Sequence, residues 1–131
     1  MTKLLVRRIS DRYELRFRLP LAIADDSEPE PDAAIVPAGD YDQAHPTTAL
    51  LVIEVADSSL ARDRRKAGLY AAAGIPECWI VDLTARVVEV YSAPSPGGYA
   101  SQRTAAPGEV LRAIAVPELE LAVTERMQPT A

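Results

Sequence analysis

Three polar residues border or interrupt the most apolar segments of this sequence, and together they could do chemistry. Asp32 directly precedes a short apolar run, and Glu54 lies inside the longest one. Lys66 stands 12 residues after Glu54. Two carboxylates that lie close together repel each other unless a proton or a cation lies between them. Mg²⁺ takes oxygen ligands, and a neighbouring lysine can stabilise developing negative charge or orient an attacking water. Such a site is suited to phosphodiester hydrolysis.

Each of these residues also has a purely structural interpretation. Asp32 follows Pro31, and a Pro-Asp pair is common in loops, so Asp32 could be a turn residue. Glu54 and Lys66 could form a buried ion pair, since a buried charge needs a partner or a metal. The spacing alone leaves both interpretations open.

The segments that must position these residues are a strand, a helix and a second strand. Residues 50–55 are apolar except at Glu54, which is typical of a central strand. The sequence predicts a helix over residues 60–73 that ends at Gly74. A strand over residues 78–82 follows, and this order suits a right-handed crossover between parallel strands.

The helix spacing and the expected pairing of two strands bring the polar residues together. Asp63, Lys66 and Tyr70 are three and four residues apart and therefore share one helix face. If the strand after Asp32 pairs with the strand that contains Glu54, the two carboxylates meet at one end of the sheet.

The rest of the chain reads mainly as strands. We predict them over residues 13–20, 33–36, 87–91, 99–103, 110–116 and 119–123. The sequence therefore predicts an α/β (α+β) fold, with a mixed sheet and a crossover helix packed on it. With 131 residues, the chain is expected to form a single domain over residues 1–131.

The composition excludes several other classes. Cys78 is the only cysteine, so no disulfide forms within the chain, and the single histidine, His45, argues against a histidine triad or a histidine-rich zinc site. No segment approaches the roughly 20 apolar residues of a membrane span, and we see no signal peptide. We therefore expect a cytoplasmic protein with no membrane partner.

The charge distribution is uneven along the chain. The net charge is −5, which argues against strong non-specific binding of polyanions. Basic residues nevertheless cluster at Arg62, Arg64 and Arg65, directly before Lys66. These arginines could contact phosphates, or they could form the solvated flank of a helix.

Three stretches of the chain are distinctive when taken together: EPEPDAAIV, LLVIEVADSSLARDRRKAGLYAAAGIPECWIVD and VVEVYSAPSPGGY. They resemble the Uma-two family of proposed restriction endonucleases, which belongs to the PD-(D/E)XK nuclease superfamily. The resemblance covers residues 13–99 and is specific within residues 54–82. It implies a restriction-endonuclease-like core with a divalent metal site.

The resemblance also implies roles for individual residues. Asp32 and Glu54 match the two metal carboxylates, and Val55 would offer its backbone carbonyl to the metal. The superfamily lysine usually stands two residues after the second carboxylate, where this sequence has Ala56; in this family it stands on the following helix, which here gives Lys66.

Asp63 and Tyr70 match family positions, to which we assign supporting roles. Members of the family usually have a longer N-terminal part with helices that would cover one face of the sheet, and we expect it to be missing here. The implied function is a DNA endonuclease that uses Mg²⁺ or Mn²⁺, with Asp32, Glu54 and Lys66 as catalytic residues. A homodimer would match the two-fold symmetry of DNA.

Two other functions stay open at this point. One is a catalytically inactive, truncated nuclease fold that serves as an interaction module. The other is a metal-dependent hydrolase with a substrate other than DNA, since a net charge of −5 is unfavourable for binding a duplex.

Overall fold

The computed structural model describes residues 3–6, 10–23 and 28–123 of the chain. These ranges contain nine strands and one helix. The strands are β1 (Lys3–Val6), β2 (Tyr13–Phe17), β3 (Ala33–Pro37), β4 (Leu51–Ala56), β5 (Glu77–Asp82), β6 (Val87–Ser95), β7 (Gly98–Ala105), β8 (Val110–Arg112) and β9 (Leu119–Ala122). The helix α1 (Leu60–Ala72) connects β4 to β5.

The main sheet contains six strands in the order β2-β3-β4-β5-β6-β7. β4 and β5 are parallel, and every other neighbouring pair in this sheet is antiparallel. The helix lies in the connection between the two parallel strands. The predicted mixed sheet with a crossover helix is therefore confirmed.

Helix α1 ends at Ala72, one residue before its predicted end, and Gly74 terminates it as predicted. Gly74 has a φ of +78°, a conformation that glycine adopts without strain. Its N–H donates to the carbonyl of Ala71 over 2.9 Å, and the N–H of Ile75 donates to the carbonyl of Tyr70 over 3.1 Å. This is the Schellman pattern, which satisfies carbonyls at the end of a helix. Over the described ranges, no helix has the length and apolar character needed to cross a membrane.

The main sheet is buried on both faces along its central strands. The face toward α1 packs Val52, Ala56 and Ile80 against Ala67 and Tyr70 of the helix. The opposite face is covered by the C-terminal part of the described chain, from β8 to residue 123. Its buried side chains are Ile35, Leu51, Ile53, Trp79, Val81, Leu111, Ala113, Val116, Leu119, Leu121 and Val123. Burial on both faces explains why β4 and β5 read as nearly continuous apolar runs.

The structure changes the bounds of several predicted strands and adds one strand. β6 runs to Ser95 rather than to residue 91, and β7 extends over Gly98–Ala105 rather than 99–103. β2 ends at Phe17 rather than at residue 20, because Arg18 adopts a φ of +52°. Phe17 is consequently 57% exposed and Leu19 45% exposed, although their alternation with polar residues predicted burial. The region 110–116 contributes only the three residues of β8. The strand missed by the sequence, β1, pairs with β9 in a second sheet of order β1-β9-β8.

Candidate functional site

Asp32 and Glu54 meet at one end of the main sheet. β3 and β4 are antiparallel with Ala33 opposite Ile53, so Asp32 and Glu54 stand one position beyond that pair. The backbone N–H of Asp32 donates to Glu54 Oε1 over 3.2 Å. In return, the N–H of Val55 donates to Asp32 Oδ2 over 2.7 Å. The predicted meeting of the two carboxylates is therefore a feature of the structure.

Glu54 lies on the sheet face that packs against the helix. Its neighbours on the same face of β4, Val52 and Ala56, both belong to the core beneath α1, and Glu54 itself is only 2% exposed. A carboxylate in this environment needs partners, because it has lost its hydration. The helix supplies two of them.

Lys66 and Tyr70 present their polar ends to the same oxygen of Glu54. Lys66 Nζ lies 2.7 Å from Glu54 Oε2, and the hydroxyl of Tyr70 donates to that oxygen over 2.6 Å. The two residues are four apart, so they stand one above the other on one face of α1. Because α1 lies in the connection after β4, the chain brings this helix face over Glu54.

Asp63 lies on the same part of the helix but makes a different contact. Its side chain is 5% exposed, and Asp63 Oδ2 accepts a hydrogen bond from the hydroxyl of Ser59 over 2.8 Å. Ser59 occupies the N-cap position without a side-chain bond to the backbone. Asp63 therefore closes the first turn of α1, whereas Lys66 and Tyr70 contact Glu54.

The pKa values at the site follow from burial. Burial raises the pKa of Glu54, and the Lys66 ammonium, the Tyr70 hydroxyl and the Asp32 N–H act in the opposite direction. Burial, together with the nearby Glu54 carboxylate, raises the pKa of Tyr70 far above its ordinary value. Tyr70 is therefore protonated at neutral pH and donates a hydrogen bond. Burial likewise raises the pKa of the Cys78 thiol, so this residue is an unreactive core residue.

A second ion pair between the helix and the sheet was not predicted. Arg64 lies within ion-pair distance of Glu89 on β6, and the hydroxyl of Tyr91 donates to Glu89 Oε1 over 2.6 Å. Glu89 is 4% exposed, and its pKa is lowered mainly by the hydrogen bond from Arg64. Arg64 and Glu89 are 25 residues apart on different elements, so no local spacing signals their contact. This pair and the Glu54–Lys66 pair attach α1 to two different strands.

Few groups at the site could coordinate a cation directly. In the described part of the chain, no group of three His, Cys, Asp or Glu side chains lies close enough to hold a metal ion. The candidate ligand oxygens are those of the Asp32 and Glu54 carboxylates and of the backbone carbonyls around them. His45 is exposed and lies in a loop between β3 and β4.

The order of the main sheet and the crossover helix packed on it are those of a restriction-endonuclease-like fold. The sequence matches the model of the Uma2 family, described as "Putative restriction endonuclease", over residues 3–124. The chain belongs to this family, which confirms the resemblance found in the sequence.

A solved structure supports the same fold. The chain is similar to a crystal structure from Anabaena variabilis, described as "a putative nuclease belonging to DUF820", with a TM-score of 0.63 and 13% sequence identity. The match covers 80% of this chain and 62% of the other, so this chain spans less than two thirds of that protein. At this identity the likeness concerns the fold alone. A comparison with curated proteins gave no match.

Proposed function

We propose that this protein is a metal-dependent endonuclease that hydrolyses phosphodiester bonds in DNA. In this proposal Asp32 and Glu54 hold Mg²⁺ or Mn²⁺, and Lys66 assists the reaction. The observation that carries the proposal is the contact of Lys66 Nζ with Glu54 at 2.7 Å, beside a second carboxylate on the adjacent strand. Membership of the Uma2 family and the nuclease fold support the choice of reaction and of DNA as substrate.

The donor atoms at the site are compatible with a hard divalent ion. A carboxylate oxygen has two lone pairs. Glu54 Oε2 uses both for Lys66 and Tyr70, whereas Oε1 accepts, among the described residues, only the N–H of Asp32. Asp32 Oδ1 accepts no hydrogen bond from the described residues. One oxygen of each carboxylate therefore remains for a cation, with the carbonyl of Val55 as a third ligand. Mg²⁺ commonly retains several waters at sites with one or two protein carboxylates, so a short ligand set is sufficient.

The remaining groups have separate tasks in hydrolysis. A divalent ion bound there supplies positive charge that stabilises the reacting phosphate. The oxygen of a water molecule forms the new bond to phosphorus while one P–O ester bond breaks. Lys66 either orients that water or stabilises the negative charge that develops on the phosphoryl oxygens. Tyr70 holds Glu54 in place, and Asp63 supports the first turn of the helix that carries Lys66.

Nicking of supercoiled plasmid DNA tests this proposal. Wild-type protein should nick DNA with millimolar Mg²⁺ or Mn²⁺ and stop when EDTA is added. Asp32→Asn, Glu54→Gln and Lys66→Met should each lower the rate by roughly 100-fold or more. Glu89→Gln is the matched control, because Glu89 is also a buried carboxylate paired with a cation of α1. Nicking that persists in EDTA, or that survives Glu54→Gln, would contradict the proposal.

A second candidate is a catalytically inactive nuclease fold that serves as an interaction module. The observation in its favour is that Lys66 and Tyr70 already compensate the charge of Glu54 without a metal. This alternative predicts no cleavage and no rise in melting temperature on addition of Mg²⁺ or Mn²⁺.

Cleavage of both strands would be simplest for a homodimer, since two-fold symmetry presents one site to each strand. Light scattering on the protein with and without a DNA duplex would measure the stoichiometry. A monomer in both conditions would limit the proposed activity to nicking.

A further inference from the structure

The cations of this protein differ in whether an acidic side chain neutralises them. Arg64, Arg103 and Arg112 each lie within ion-pair distance of a glutamate. Arg18 and Arg62 have no carboxylate of the described residues within that distance, and both are exposed. In a chain of net charge −5, two uncompensated arginines beside the candidate site are candidates for binding an anion.

Arg18 is held beside Asp32 by its backbone. Its N–H is shared between the carbonyls of Pro31 at 3.2 Å and Asp32 at 3.3 Å. Its φ of +52° lies in the left-handed region, which residues other than glycine seldom adopt. Sparsely populated backbone conformations occur often at functional sites and persist where the surroundings impose them. An exposed arginine is therefore attached through its backbone to the backbone of one of the two site residues.

Arg62 flanks the site on its other side. It lies four residues before Lys66, which is about one turn or 6 Å along the axis of α1 and on the same helix face. Lys66 contacts Glu54 directly, so Arg62 continues a cationic row away from that carboxylate. Arg18 on the β2 side and Arg62 on the helix side thus border the site at two ends.

We propose that Arg18 and Arg62 bind the backbone phosphates on the two sides of the reacting phosphate. The DNA strand would cross the end of β4 from the β2 side to α1. This inference rests on the proposed nuclease function and names the surface by which the substrate is held. The exposed residues Glu28, Glu30 and Asp57 are acidic and repel phosphate. The proposed contacts are to the DNA backbone, without base readout.

Salt-dependent binding of a fluorescent DNA duplex tests the inference. Anisotropy is measured in EDTA, which prevents metal-dependent cleavage, over salt concentrations from about 50 to 200 mM. Arg18→Gln and Arg62→Gln are each expected to weaken binding about tenfold at the lowest salt, because each removes a charge-assisted hydrogen bond. Each should also reduce the slope of log K against log salt by about 0.9, equally for duplexes of different sequence.

Arg12→Gln is the matched control. Arg12 is also exposed and also has no carboxylate of the described residues within ion-pair distance, but it precedes β2 whereas Arg18 follows it. The two positions are about 20 Å apart along an extended strand. Arg12→Gln changes the net charge by the same amount and should leave the slope unchanged.

The outcomes separate this inference from the proposed function. Equal effects of Arg12→Gln, Arg18→Gln and Arg62→Gln would show that only overall charge matters and would overturn the inference. Absence of binding by the wild-type protein would overturn it as well. If metal-dependent nicking of plasmid is observed in either case, the proposed function stands and only the surface is wrong. If the wild-type protein neither binds nor nicks DNA, both are wrong.

Discussion

Asp32 and Glu54 are joined across two antiparallel strands by a hydrogen bond from the backbone N–H of Asp32 to Glu54 Oε1, 3.2 Å long. The next residue, Val55, donates its N–H to Asp32 Oδ2 over 2.7 Å. Both carboxylates are thus oriented by main-chain groups of the sheet. Strand pairing sets the relative position of the two residues, and Lys66 and Tyr70 of α1 hold the other oxygen of Glu54. A site built in this way is held in place before any ligand binds.

The first prediction concerns metal binding at Glu54. A ligand that binds only the folded state stabilises it by about 1.4 kcal/mol at ten times its dissociation constant, which corresponds to roughly 3–6 °C in melting temperature for a domain of this size. Millimolar Mg²⁺ or Mn²⁺ should raise the melting temperature of the wild-type protein but not of Glu54→Gln. Thermal unfolding followed by circular dichroism measures both. The control variant Glu89→Gln should still show the metal-induced rise in melting temperature. If Glu89→Gln loses this rise, the metal is not bound specifically at Glu54.

The second prediction concerns the partner of Glu54. Lys66→Met leaves a carboxylate of 2% exposure without its cation and should destabilise the fold by about 2–3 kcal/mol at pH 8. At pH 5 the cost should be smaller, because burial raises the pKa of Glu54 and the neutral acid does not need a cation. Urea unfolding at both pH values measures the difference. The double variant Glu54→Gln/Lys66→Met should be more stable at pH 8 than Lys66→Met alone. A cost that does not depend on pH would argue against a charge effect.

The third prediction is that Glu54 and Glu89 affect the pH dependence of stability in opposite directions. The folded-state pKa of Glu54 is raised above its ordinary value of 4.5, so the folded protein binds more protons than the unfolded chain, and stability falls as pH rises from 4.5 through the folded pKa. The pKa of Glu89 is lowered, so its contribution is present above 4.5 and is lost as pH falls through the folded pKa.

Urea unfolding of the wild type, Glu54→Gln and Glu89→Gln at a series of pH values separates the contributions of Glu54 and Glu89 to stability. The advantage of the wild type over Glu54→Gln should shrink as pH rises above about 4.5, whereas its advantage over Glu89→Gln should grow as pH rises toward about 4.5. Two differences that change in the same direction would contradict the opposite environments of these carboxylates.

The fourth prediction compares two tyrosine hydroxyls. Tyr70 donates to the Glu54 carboxylate over 2.6 Å, and Tyr99 donates to the carbonyl of Ile75 over 2.7 Å. Hydrogen bonds to charged groups contribute about 1.5–3 kcal/mol, and those to neutral groups about 1 kcal/mol. Tyr70→Phe should therefore lower the free energy of unfolding at pH 7 by more than Tyr99→Phe. Equal losses would mean that Lys66 alone compensates Glu54.

The sequence alone determined most elements of the main sheet, its crossover helix and which polar residues share one face of that helix. An apolar segment that shows no alternation predicted the central strand, and the spacing of Lys66 and Tyr70 put them on one helix face. A carboxylate inside a buried strand required a partner, and this requirement pointed to Lys66. These inferences succeed because they depend on periodicities of two and 3.6 residues, which are local properties of the chain.

The tertiary structure decided which distant groups meet. Arg64 pairs with Glu89 across 25 residues. Phe17 is exposed, and β2 ends where Arg18 adopts a φ of +52°. Neither feature follows from the spacing of residues within one element. They follow from the pairing order of the strands and from the way the helix packs over the sheet, and these properties arise only when the whole chain is folded.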